Sequence, residues 1–141
     1  MKQAIICVDD EAIILLSLKR ELSMHFGSRF IYETALNAID ALELVEEMAA
    51  EGIPIVFIIS DWLMPVMKGD EFLIKVHEKH PEILSIIISG QANDESIELA
   101  RCRCNLISYI KKPYRPEILF QAIEKGMSRI ETEGYSPSPH P

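Results

Sequence analysis

Long hydrophobic runs are missing from this chain. No stretch approaches the ~20 apolar residues that a membrane-spanning helix needs, so no membrane association is expected. An export signal is missing too. After Met1-Lys2-Gln3 the apolar run Ala4–Val8 stops at Asp9-Asp10-Glu11, too short and too acidic for one. Cysteine is scarce and odd in number (Cys7, Cys102, Cys104), which excludes a disulfide framework and points to a reducing cytoplasm. Cys102 and Cys104 form a CxC pair with no second cysteine or histidine cluster, so zinc is not expected, and Cys7 reads as strand core. His25, His77, His80 and His140 are scattered, and none is placed as a phosphotransfer histidine. Positive charge is in deficit: 14 Lys and Arg stand against 22 Asp and Glu, a net charge of −8. That balance excludes a direct grip on a nucleic-acid backbone, whose affinity comes from clustered cations. A basic partner surface or a cationic metal suits it better. Lys111, Lys112 and Arg115 make one small basic spot, read as part of a protein-partner face.

What is present is an ordinary globular composition, 48% hydrophobic and 26% charged over 141 residues. That length suits one domain, able to bury roughly 70% of its unfolded surface. Apolar runs at Ala4–Val8, Phe30–Tyr32, Ile55–Ile59, Leu84–Ile88 and Leu106–Ile110 read as strands. Between and after them come helical spacings: Ile14, Leu15, Leu18 and Leu22; Ala38, Leu42 and Val45; and Leu119, Ala122, Ile123, Gly126, Met127 and Ile130. Asn37 is placed to cap the second helix, Gly52 to end it, and Pro116 to occupy the first turn of the fifth. Near-continuous apolar strands alternating with helices imply a parallel sheet covered on both faces. Periodicity does not give the strand order. The common solution at this size is the flavodoxin-like doubly wound (βα)5 fold, with five parallel strands in the order 2-1-3-4-5 and ligands at the strand C-ends. The pattern dissolves after Ile130 into ETEGYSPSPHP, so residues 1–130 are expected to form the domain and 131–141 a flexible tail.

Polar residues stand where the apolar runs end. Asp9-Asp10-Glu11 follow AIICV, Asp61 follows IVFIIS, Ser89 follows SIII, and Lys112-Pro113 follow SYIK. In a parallel sheet these strand ends open on one edge, which brings carboxylates, a hydroxyl and a lysine together. A phosphoryl group needs its negative charge neutralised before another anion attacks it. Magnesium supplies this with oxygen ligands and few carboxylates. Asp61 has the chemistry for both ligand and nucleophile, since a carboxylate forms an acyl phosphate. Lys112 offers a point charge to one phosphoryl oxygen and Ser89 a hydroxyl to another.

Four segments in order resemble the receiver domain of response regulators in two-component signalling, over residues 2–130. ICVDDE resembles its acidic motif and ISDWLMPVMKGDEFL its phosphoacceptor loop. IIISGQ resembles its Ser/Thr segment and YIKKPYRPEIL its Lys-Pro segment. The resemblance implies that Asp61 is the phosphoacceptor, that Asp9 and Asp10 bind Mg2+, and that the Leu63 backbone carbonyl completes the metal site. It makes Lys112 the family's lysine, because Pro113 follows through a bond that is typically cis. Ser89 matches the switch hydroxyl and Tyr109 the aromatic switch. Leu63 and Gln91 match positions that tune phosphoryl lifetime; leucine cannot hydrogen-bond a water whereas Gln91 can, which leaves the lifetime open. The implied donor is a sensor histidine kinase or a histidine phosphotransfer protein. The implied output is a downstream protein effector that reads the face of the fourth helix, fifth strand and fifth helix, with homodimerisation on phosphorylation left open.

Each residue also has a plainer reading. The three acids suit the positive end of the first helix dipole. Ser89 suits a turn before Gly90, Lys112 a solvated loop, Tyr109 the core, and Trp62 a loop. Two rival functions stand beside the receiver. A haloacid-dehalogenase-like phosphatase needs a second acid two residues after its nucleophile, and that place holds Leu63. A receiver-like interaction module that no longer switches would not bind magnesium. The receiver reading is of a signalling phosphoacceptor and not of a turnover enzyme. Whether the chain stands alone or is part of a larger protein is left open.

Overall fold

In the computed structural model, which describes residues 2–90 and 94–133, strands and helices alternate throughout. The strands are β1 (Gln3–Val8), β2 (Phe30–Ala35), β3 (Ile55–Asp61), β4 (Leu84–Ser89) and β5 (Leu106–Lys111). The helices are α1 (Ala12–Phe26), α2 (Ala38–Ala50), α3 (Gly69–Lys79), α4 (Asp94–Arg103) and α5 (Pro116–Glu133). All strands run parallel in the order β2-β1-β3-β4-β5, the flavodoxin-like arrangement. The order reverses between β1 and β3, and a ligand crevice belongs at that reversal.

The strand pleat sends alternate residues to two cores. Ala4, Ile6 and Val8 of β1 face the α2–α3–α4 side, with Ile58, Phe72, Leu73 and Ile87. Ile5 and Cys7 face the α1–α5 side, with Leu22, Phe57, Leu119 and Ile123. Because β1, β3 and β4 are covered on both sides, their sequences show no polar alternation. The outer strand β2 differs. It runs three residues beyond Tyr32, through Glu33, Thr34 and Ala35, paired residue by residue with β1. Its one-sided exposure admits polar residues, so an apolar-run criterion stops short of its end.

Local signals place the helices. Asn37 Oδ1 accepts the Asp40 N–H at 2.8 Å and caps α2. At the other end Gly52 has φ of 76°, the Gly52 N–H donates to Ala49 O, and the Ile53 N–H donates to Met48 O, which is a Schellman closure. Leu15, Leu18, Leu22 and Phe26 form the buried stripe of α1, with Ile14 half-buried beside it. Leu42 is likewise half-buried, and Ala41 and Met48 join Ala38 and Val45 on the buried face of α2. Pro116 opens α5 as expected. Glycine at 126 lets that helix lie close to the sheet: a Cβ there would stand 2.7 Å from Phe57 Cζ and 2.8 Å from Ile107 Cδ1. Among the described residues, no helix is long and apolar enough to cross a membrane.

Candidate carboxylate–lysine site

Asp9 is the first residue after β1, Asp10 follows it, and Asp61 is the last residue of β3. The adjacency of β1 and β3 brings one carboxylate oxygen from each of the three within 4.8 Å of one another. Among the described residues this is the one such group of potential metal ligands. Lys112, just past β5, reaches over the sheet edge. Its Nζ lies 3.6 Å from Asp9 Oδ2 and 3.8 Å from Asp61 Oδ1. Lys112-Pro113 is a cis peptide, and the Lys112 N–H donates to Ser89 O at 3.1 Å, which joins the ends of β4 and β5.

The acids are held from their backbones. Asp9 Oδ1 accepts the Glu11 N–H at 2.9 Å, which fixes its carboxylate in the turn ahead of α1. The N-cap of α1 is Glu11, with no side-chain cap bond, so the helix-capping reading does not describe Asp9, whose carboxylate lies instead with Asp10, Asp61 and Lys112. Asp61 Oδ1 accepts the Trp62 N–H at 2.8 Å, and the Leu63 N–H also bonds its carboxyl. Asp9 is buried, Asp61 half-buried and Asp10 exposed. Burial raises the pKa of the Asp9 carboxyl above the ordinary range; the Glu11 N–H and Lys112 oppose this, while Asp61 and Asp10 add to it. Burial likewise raises that of Asp61, against Lys112 and the Trp62 and Leu63 N–H groups and with Asp10. One lysine among three close carboxylates leaves surplus negative charge. Hard oxygen donors carrying surplus charge in a partly desolvated crevice fit a magnesium ion.

The remaining expected residues take distinct places. Ser89 is buried at the end of β4, one residue beyond Ile88, the register partner of Asp61. Tyr109 is half-buried, and its hydroxyl donates to the Ser89 carbonyl at 3.1 Å. Leu63 exposes its side chain beside the acids. Gln91 lies outside the described residues. Trp62 does sit in the loop, yet it is buried together with Met64 against the α2–α3–α4 core. Loop position alone did not reveal that, although two large apolar side chains flanking Leu63 were the available signal. Gly69 is a further site residue. Its backbone packs so close to the Asp61 carbonyl that any Cβ would collide with it, and its N–H donates to Trp62 O at 2.8 Å. The loop carrying Asp61 is thus closed against the start of α3.

A (βα)5 sheet whose β1, β3 and β5 ends gather three carboxylates and a lysine defines a class of protein. The chain belongs to the response regulator receiver domain family, which it matches over residues 5–124. It is 31% identical over 140 residues to the hydrogenase transcriptional regulatory protein HoxA of Cupriavidus necator, covering 99% of this chain and 27% of that protein. The chain thus spans about a quarter of the length of that relative. It is 29% identical to the chemotaxis protein CheY1 of Helicobacter pylori, over 85% of this chain and 93% of that one. A crystal structure of a CheY-like response regulator receiver domain protein from Methanospirillum hungatei superposes with a TM-score of 0.80 at 28% identity. That match covers 94% of this chain and 99% of the other.

Proposed function

We propose that this chain is a phosphorylation-activated receiver that accepts a phosphoryl group on Asp61. The observation that carries the reading is the cluster of Asp9, Asp10 and Asp61 oxygens within 4.8 Å, with Lys112 Nζ 3.8 Å from the Asp61 carboxylate. An Asp61 carboxylate oxygen attacks the phosphorus of a phosphohistidine. The P–N bond breaks, its electron pair stays on the imidazole, and the new P–O bond makes an acyl phosphate. Lys112 is placed to leave its carboxylate partners for a phosphoryl oxygen, and the Ser89 hydroxyl to donate to another. Asp9, Asp10, Asp61 and the Leu63 carbonyl would hold Mg2+, which when bound supplies positive charge to the phosphoryl oxygens. The donor is a sensor histidine kinase or a histidine phosphotransfer protein, and small acyl phosphates serve as well because the receiver carries the catalytic groups. The chain is a signalling phosphoacceptor and not a turnover enzyme.

Output follows from how Ser89 is tied. Its carbonyl receives both the Lys112 N–H and the Tyr109 hydroxyl, so a shift of Ser89 toward a phosphoryl group is felt at once by β5. Tyr109 then turns, and the α4–β5–α5 face changes the protein effector it prefers. Leu63 and Gln91 are the residues at the family's lifetime-tuning positions, and their side chains would set how long the acyl phosphate survives hydrolysis.

The buried Trp62, whose N–H bonds Asp61, is the natural reporter. Its fluorescence should change saturably with Mg2+ and again with acetyl phosphate, and intact mass should rise by one phosphoryl group. Asp61→Asn should abolish the mass change. Phosphorylation of that variant to the same stoichiometry at another residue would overturn the assignment.

A further inference from the structure

A cavity of about 630 Å³ runs from the carboxylate–lysine crevice down between α1 and the segment joining β5 to α5. Its mouth is Asp9, Asp61 and Lys112, and its depth is apolar, reaching Leu18, Ile59 and Ile88. The size falls in the roughly 300–1,000 Å³ typical of small-molecule sites, and so does the character, an apolar wall with few polar groups. None of the steps proposed for Asp61 uses the space below the mouth.

Besides the hydroxyls of Ser17 and Ser60, two ionisable side chains stand on that wall, Glu21 from α1 and Tyr114 from the β5–α5 segment. Glu21 is half-buried, and among the described residues no cation pairs with it. Tyr114 lies near enough to Glu21, Cys7 and Asp9 that their charge adds to burial in raising its hydroxyl to about 12. Burial likewise raises the Glu21 carboxyl above the usual range. The charged lining is therefore three carboxylates, Asp9, Asp61 and Glu21, against one lysine, and that lysine already bridges Asp9 and Asp61. A partly buried carboxylate with no cation of the chain bonded to it is open to pairing with a ligand's cation. The group that completes it is a cation, and the wall around it favours an apolar body behind that cation.

We propose that this cavity is a binding site for an organic monocation with an apolar body, a protonated amine of phenylalkyl size, whose ammonium pairs with Glu21 and whose body lies against Leu18, Ile59 and Ile88. An anion of the same shape would meet Glu21 with like charge and bind worse. Because Asp9 and Asp61 of the acid cluster line the mouth of the cavity, occupancy is linked to that cluster: bound amine and bound Mg2+ weaken one another by the same factor.

The test is a titration of the 15N-labelled full chain, in saturating Mg2+, with 4-phenylbutylamine and separately with 4-phenylbutyrate. The two share an apolar body and differ in charge. Amide shifts at Leu18, Glu21 and Tyr114 should saturate with the amine, with a dissociation constant on the order of 1 mM or below. The carboxylate, and the amine with Glu21→Gln, should each bind at least about fivefold more weakly. Several results would overturn the proposal: no saturation by the amine up to about 5 mM, equal binding of amine and carboxylate, or an unaltered affinity in Glu21→Gln. Shifts confined to Asp9, Asp10 and Asp61 would do the same, since the amine would then be only a counter-ion of the acid cluster. Beryllofluoride added to the same samples reads the Asp61 site separately, so a failure here leaves the phosphoacceptor reading to its own outcome.

Discussion

Replacing Asp61 by asparagine should stabilise the fold when magnesium is withheld, although it removes the residue proposed to do the chemistry. The Asp61 and Asp9 oxygens lie within 4.8 Å, a repulsion of about 3 kcal/mol at an effective dielectric of 20. Lys112 at 3.8 Å returns about 4 kcal/mol of attraction on the same scale. These terms nearly cancel, and the exposed Asp10 adds a screened repulsion. Burial of the carboxylate then decides the sign, as it does for the raised pKa of Asp61, where burial is the largest cause. Asparagine keeps the shape and loses the charge. The expected gain in EDTA is on the order of 1–2 kcal/mol, roughly 3–6 °C in melting temperature for a domain of this size. Magnesium should reverse the ranking by stabilising only the intact cluster, by about 2.7 kcal/mol at about one hundred times its dissociation constant. The pH dependence follows the same sign. An acid whose pKa is raised on folding binds more protons folded than unfolded, so its stabilising contribution is complete below the unfolded value of 3.8 and is lost as pH rises through the folded value. Wild-type stability in EDTA should therefore fall across that window, and Asp61→Asn should flatten the fall. Urea melts with and without Mg2+, at pH values spanning the window, measure all of this. A variant less stable than wild type in EDTA, or a difference indifferent to Mg2+, would refute the electrostatic account.

Two further substitutions test the packing around the site. Gly126→Ala gains about 1 kcal/mol in helix propensity but drives a methyl into Phe57, which is fully buried and has nowhere to go. A net loss of about 1–2 kcal/mol is expected in urea denaturation, and equal or greater stability would show that α5 can move off the sheet. Val66, in the loop after Asp61, holds φ of 72° with 93% of its surface exposed, a strained backbone for a β-branched residue with little burial in return. Val66→Asn should stabilise by about 1 kcal/mol in thermal melts, because asparagine tolerates that conformation; a loss of stability would mean the loop relaxes elsewhere.

The sequence by itself determined the parallel sheet and which polar residues gather at one of its edges. Near-continuous apolar strands leave few alternatives to a doubly covered sheet, and in such a sheet Asp9, Asp61 and Lys112 at three strand ends have one edge to share. Asn37, Gly52 and Pro116 were legible because capping and turn chemistry is local, set by a residue and its next few neighbours. The end of β2 was less legible, since an outer strand tolerates Glu33 and Thr34 that an inner one would not. What only the tertiary structure decided depends on distances between segments remote in sequence. Trp62 and Met64 are apolar enough to be buried, but that they join the α2–α3–α4 core is decided by the elements packed around their loop. Ser89 and Tyr109 are coupled through one carbonyl because β4 and β5 pair in a particular register. Glu21 and Tyr114, 93 residues apart by their numbers, face the same cavity because α1 and the β5–α5 segment lie side by side. Periodicity records which face of an element is buried; which other element that face meets is fixed only when the sheet order is.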